Sequence, residues 1–129
     1  MKTILYANRM DNIGEKLENI IHAQVPGIQV KTCNSIELFS EMLRQPLNNI
    51  SVVVLMVTTR DELVHFYLMK LLFDNIRIIL ILPDRHKDTL ALSLKLKTSF
   101  ISYIDSDLLD VTAVLGQILK ITKENKKNV

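Results

Sequence analysis

The residues able to do chemistry in this chain fall into short polar clusters, each following an apolar run. Asn8, Arg9 and Asp11 follow residues 3–7, and Thr58, Thr59, Arg60 and Asp61 follow residues 52–57. Asp84 and Arg85 follow residues 76–82, and Tyr103, Asp105 and Ser106 close the last run. If these runs are parallel strands, the clusters meet at one edge of a sheet, where open α/β sheets bind ligands. Such an edge could take a small polar or anionic ligand. The guanidinium of Arg9 or Arg60 would be the anion partner, with Thr58, Thr59 and Asp84 alongside. An ordinary explanation competes: strand-to-helix loops are polar wherever they occur, and Asp or Ser in them caps helices.

Other chemistries find less support. The glycines are Gly14, Gly27 and Gly116, too dispersed for a dinucleotide or P-loop phosphate cradle. The segment after the first run is a poor match to the Ser/Thr-rich loop of a flavin mononucleotide site. His22, His65 and His86 have no metal-ligand spacing with one another or with Cys33, so no metal and no cofactor is expected. A lone cysteine cannot form an internal disulfide, which fits a reducing cytoplasm. No apolar stretch approaches the ~20 residues of a membrane span, and the N-terminus lacks a signal-peptide pattern. The net charge of +2 is uneven: Lys120, Lys123, Lys126 and Lys127 against Glu124 give the tail +3 and leave the body −1. A near-neutral body without a basic stripe argues against nucleic acid, and the tail reads as a solvated helix end.

The elements that must position these clusters follow from periodicity. Residues 52–57, Val-Val-Val-Leu-Met-Val, are apolar without a break. A strand with one wet face alternates, so this run is covered on both faces, and residues 76–82 read the same way. Residues 28–33 alternate and suit a sheet edge. Ile13, Leu17, Ile20 and Ile21 recur at helical spacing. Asn34-Ser35-Ile36-Glu37 has capping-box form, with Asn34 as cap, and Ile36, Phe39, Met42 and Leu43 face inward in the helix it opens. A helix over 63–74 carries two apolar stripes, Val64, Leu68, Leu71 and Leu72 on one and Phe66, Met69 and Phe73 on the other. Residues 88–97 form a helix rather than a strand, because Leu, Ala and Lys dominate and β-branched residues are nearly absent. A fifth strand over 99–104 and a final helix capped by residues 105–107 complete five βα units. Right-handed crossovers and two doubly buried strands give a five-stranded parallel sheet of order 2-1-3-4-5, a flavodoxin-like three-layer (βα)5 sandwich.

Five βα units in about 120 residues resemble the receiver domain of bacterial response regulators. The resemblance covers residues 1–123 and leaves 124–129 as a basic tail. The family's phosphotransfer chemistry implies two acids after the first strand for Mg²⁺, an acceptor aspartate ending the third, Thr or Ser ending the fourth, and lysine ending the fifth. Here those positions hold Asn8 and Arg9, Met56, Leu82 and Tyr103. A thioether neither accepts a phosphoryl group as a carboxylate does nor binds Mg²⁺ well. One-residue slips restore neither aspartate nor lysine. The chain therefore resembles a degenerate receiver, a pseudo-receiver in a two-component signalling context.

The expected function is a non-catalytic signalling module that acts through protein contacts, with a protein partner or a second copy as its occupant. The receiver resemblance implies a contact face on the fourth helix, at Leu92 and Leu96. The surplus stripe Phe66, Met69 and Phe73 is a second candidate interface. The alternative is a small-ligand sensor or minor enzyme at the polar edge.

Overall fold

The structure, a computed structural model, describes residues 2–8, 12–46 and 49–127. Strands β1 (Lys2–Ala7), β2 (Val30–Cys33), β3 (Ile50–Met56), β4 (Arg77–Leu82) and β5 (Phe100–Tyr103) alternate with helices α1 (Asn12–Gln24), α2 (Ile36–Arg44), α3 (Arg60–Leu68), α4 (Lys87–Leu94) and α5 (Leu109–Lys127). All strand pairs are parallel, in the order β2-β1-β3-β4-β5. The expected α/β flavodoxin-like layout is the one observed.

The unbroken apolar runs produce two cores, one on each face of the sheet. Val53 and Leu55 of β3, with Val57 just past its end, join Ile4, Tyr6, Leu80, Phe39 and Phe66 on the face covered by α2, α3 and α4. Val52, Val54 and Met56 join Leu5, Ala7, Ile81, Leu17, Val111 and Leu115 under α1 and α5. The period of two along each strand makes this division, and burial on both faces fixes the register. Edge strand β2 shows the expected alternation, with only Cys33 fully buried.

Three local readings are corrected. The cap of α2 is Ser35, whose Oγ accepts from Leu38 N–H at 3.1 Å, while Asn34 is exposed. Second, the predicted helix over 63–74 is two pieces. After Leu68, the N–H of Met69 points at the carbonyls of His65, Phe66 and Tyr67, and a 3₁₀ turn spans Lys70–Phe73. The tighter turn swings Phe73 onto Phe39, with ring centroids 5.9 Å apart. Phe39 meets Phe66 at 5.6 Å, and Phe66 meets Tyr6 at 5.0 Å, both edge-on. Phe66 and Phe73 are therefore core residues with Met69 packed against them, not a surplus interface.

Third, α4 is turned about its axis from the expected orientation. Thr89, Ser93 and Leu96 are buried, Leu92 packs partly buried against the core, and Leu90 and Leu94 point outward. Two small polar residues face inward because each finds a partner. The Ser93 hydroxyl donates to the carbonyl of Leu90 at 2.7 Å, and the Thr89 hydroxyl accepts from Arg60. Leu96 is thus withdrawn from the surface on which contacts were expected, and Leu92 is partly so.

Candidate functional site

The register aligns the strand ends. Ala7 pairs with Met56, Met56 with Ile81, and Leu82 with Tyr103. Met56 is the last residue of β3 and only 3% exposed, enclosed between Ala7 and Ile81. The centre of the edge is apolar and closed: Leu82 is fully buried, and the Val57 N–H donates to the Ile81 carbonyl at 2.9 Å. Asn8 stands exposed in the bend after β1. Arg9, expected as an anion partner, and Asp11 of the same cluster lie outside the described residues, as does the tail beyond residue 127.

Beside this apolar centre sits a buried carboxylate, Glu62, which the sequence pattern did not single out. Glu62 Oε1 accepts from the Thr58 hydroxyl at 2.6 Å, the Thr58 N–H at 3.0 Å and the Thr59 N–H at 3.2 Å. Its Oε2 accepts from the Tyr6 hydroxyl at 2.5 Å. In return, Thr59 Oγ1 accepts from the Glu62 N–H at 3.3 Å, which completes a capping box at the start of α3. The signal was present in the spacing Thr59-Arg60-Asp61-Glu62, the same pattern read at Asn34 to Glu37. Burial and the adjoining carboxylate both disfavour a phenolate, so Tyr6 is held well above the ordinary tyrosine range.

The remaining polar groups are also engaged with one another. Arg60 Nε donates to Thr89 Oγ1 at 3.0 Å, and its Nη1 lies 3.8 Å from Asp88 Oδ2. Asp84 Oδ1 accepts the His86 N–H at 3.0 Å. That bond first, then one from the Thr89 hydroxyl, holds the Asp84 carboxyl below the usual carboxylate range. Arg85 lies over the Tyr103 ring at 3.9 Å and donates to Asp105 Oδ1 at 2.9 Å. Ser102 Oγ reaches Asp110 Oδ2 at 2.9 Å and lies 3.2 Å from Ser106 Oγ, which accepts the Leu108 N–H.

The topology thus brings Thr58, Thr59, Arg60, Asp84 and Tyr103 to one edge, each with a partner already inside the protein. A ligand would compete with these bonds rather than find waiting donors. Among the described residues, no group of three or more His, Cys, Asp or Glu side chains has metal-holding geometry. Also among them, no helix is long and apolar enough to cross a membrane. Cys33 is buried in the α2 face, and burial pushes its thiol up to about 12.

Comparison with known proteins gives a fold and no family. No family model matches the chain, and no curated protein matches it in sequence. Among solved structures, the chain is similar to a protein of Burkholderia pseudomallei described as pilus assembly-related, with a TM-score of 0.67 and 10% identity over 93% of this chain and 87% of that one. It is also similar to a Burkholderia thailandensis protein described as the pilus assembly protein CpaE, with a TM-score of 0.71 and 10% identity over 93% of this chain and 98% of that one. At such identity the likeness is one of fold.

Proposed function

We propose that this chain is a pseudo-receiver: a signalling or assembly module that works by binding other proteins, without turnover and without accepting a phosphoryl group. One observation carries the reading. At the end of the central strand, where a receiver would need a carboxylate nucleophile, stands the buried thioether of Met56, flanked by Ala7 and Ile81. In-line phosphoryl transfer needs an exposed oxygen nucleophile with charge-neutralising groups around it. The buried carboxylate of Glu62 has both oxygens occupied by protein donors. The Tyr103 position, where a receiver would offer lysine, carries a ring covered by Arg85.

The self-paired polar edge weighs against the small-ligand alternative. The pilus-assembly descriptions of the two structural neighbours fit a module whose output is a protein contact. The test is incubation of the intact chain with acetyl phosphate and Mg²⁺, followed by intact-mass measurement. The expected result is an unmodified mass. A phosphoryl adduct that hydroxylamine removes, the behaviour of an acyl phosphate, overturns the reading.

A further inference from the structure

The three most exposed large apolar residues among the described ones lie in the α3–α4 layer. Leu68 is 73% exposed at the end of α3, Leu71 is 85% exposed in the 3₁₀ turn, and Leu94 is 63% exposed at the end of α4. Tyr67 joins the two ends: its ring centroid lies 4.8 Å from Lys70 Nζ and 5.9 Å from Lys95 Nζ. The same two lysines help line a concavity of about 480 Å³ between the 3₁₀ turn, the end of α4 and the start of β4. Its floor is Phe73, Ile76, Ile78 and Leu96, and its rim carries Leu71, Lys70, Lys95, Lys97 and one acid, Asp74.

The charge here is opposite to that of the body. Outside the C-terminal tail the chain sums to −1, yet this rim has two more cations than acids. The ion pairs among the described residues join Arg60 to Asp88 and Arg85 to Asp105, so none neutralises these lysines. Two ammonium groups sharing one tyrosine ring repel each other, and the ring offsets only part of that cost. An anion placed between them gains from both, and a neighbouring apolar side chain would cover Leu68, Leu71 and Leu94. A bare phosphate would leave those leucines wet, and a purely apolar partner would bury the lysines unpaired. A second copy of this chain would bring its own lysines against these.

We infer that the face made by the C-terminal ends of α3 and α4 and the intervening 3₁₀ turn binds an amphipathic, acidic segment of a protein partner, leucine-like side chains meeting Leu68, Leu71 and Leu94 and carboxylates meeting Lys70 and Lys95. This inference rests on the protein-contact reading above and gives it a location and a partner chemistry. It is a helix-in-groove mode with an electrostatic rim.

The test uses the intact chain and a labelled synthetic helical peptide with leucines at i, i+3, i+4 and i+7 and glutamates on the flanks. Its controls carry lysine or glutamine in place of every glutamate. Fluorescence anisotropy is expected to show saturable binding of the acidic peptide and about tenfold weaker binding of the glutamine form. The double variant K70E/K95E is expected to lose about tenfold for the acidic peptide and to prefer the lysine form, and Leu71→Ser to weaken both. These side chains are exposed, so the variants keep the wild-type melting temperature. Three results overturn the inference: no acidic-peptide binding by about 1 mM, equal affinity for all three peptides, or binding untouched by K70E/K95E and Leu71→Ser. Sedimentation showing a dimer that Leu71→Ser dissolves also overturns it, in favour of a second copy as occupant. None of these bears on the acetyl phosphate result, so the pseudo-receiver reading stands or falls separately.

Discussion

A carboxylate in a protein interior is costly unless donors replace the water it loses. Glu62 meets that condition with three donors on Oε1 and one on Oε2, and the last comes from a strand 56 residues away. The Tyr6–Glu62 bond therefore ties the central sheet to the start of α3. Removing the hydroxyl with Tyr6→Phe leaves Oε2 without that donor and is expected to cost about 2 kcal/mol in urea unfolding near neutral pH. The cost has a pH signature. Tyr6 is held neutral in the folded chain well above the unfolded value of 10.0. Above that value the unfolded chain has released a proton that the folded chain keeps, so stability falls as pH rises. Cys33, raised from 9.0 to about 12, acts in the same direction over a lower window. Tyr6→Phe removes only the tyrosine share, so the gap between wild type and variant should narrow by about 1.4 kcal/mol from pH ~9 to pH ~11. An unchanged gap would mean that the phenol ionises as freely folded as unfolded.

Where patterns run along one element, the sequence was a good guide. The strands, their order and the helix positions follow from β-branched runs and helical spacing, and all five βα units are present. Contacts that depend on a second element were not legible. The stripe Phe66, Met69 and Phe73 looked unpartnered because nothing local announces that a 3₁₀ turn will set Phe73 against Phe39. Helix α4 presents Leu90 and Leu94 to water because Thr89 and Ser93 find partners inside, one of them Arg60 on a different helix. The β5–α5 junction holds another such conflict. Leu108 has φ +65° and is 2% exposed, its side chain filling the α1–α5 core. An L-residue in this left-handed region carries about 1–2 kcal/mol of strain. Leu108→Ala keeps the strain and loses the packing, for an expected cost of about 3 kcal/mol. Leu108→Gly loses the same packing but relieves the strain, which offsets the larger backbone entropy of glycine. The glycine variant should therefore melt no lower than the alanine variant. A glycine variant about 1 kcal/mol less stable, the order usual in a helix, would show that the junction is unstrained.

At the scale of the whole molecule, a receiver's phosphorylation site is a property of several strand ends held in register, and on the pseudo-receiver reading proposed above the described strand ends here carry none of its groups. The consequence is that no single substitution should recreate the chemistry. Met56→Asp supplies a carboxylate at the end of β3, but its neighbours across the sheet are Ala7 and Ile81, with the core residues Leu108 and Val111 on the same face. The new acid would lose the thioether's packing and meet no partner, at an expected cost of about 3 kcal/mol near pH 7. Desolvation would raise its folded pKa above the unfolded ~3.9. The neutral acid is easier to bury, so the penalty is expected to shrink as pH falls through the raised folded value toward the unfolded one. It should stay constant in the isosteric control Met56→Asn. Acetyl phosphate with Mg²⁺ should leave Met56→Asp unmodified in mass, because the carboxylates described at or beside the edge, Glu62 and Asp84, are already bound by protein donors, and Tyr103 under Arg85 stands where the charge-neutralising lysine would be. Phosphorylation of Met56→Asp at a rate above that of Met56→Asn would mean that the edge can assemble a metal-assisted site, and that one residue rather than the architecture withholds the chemistry.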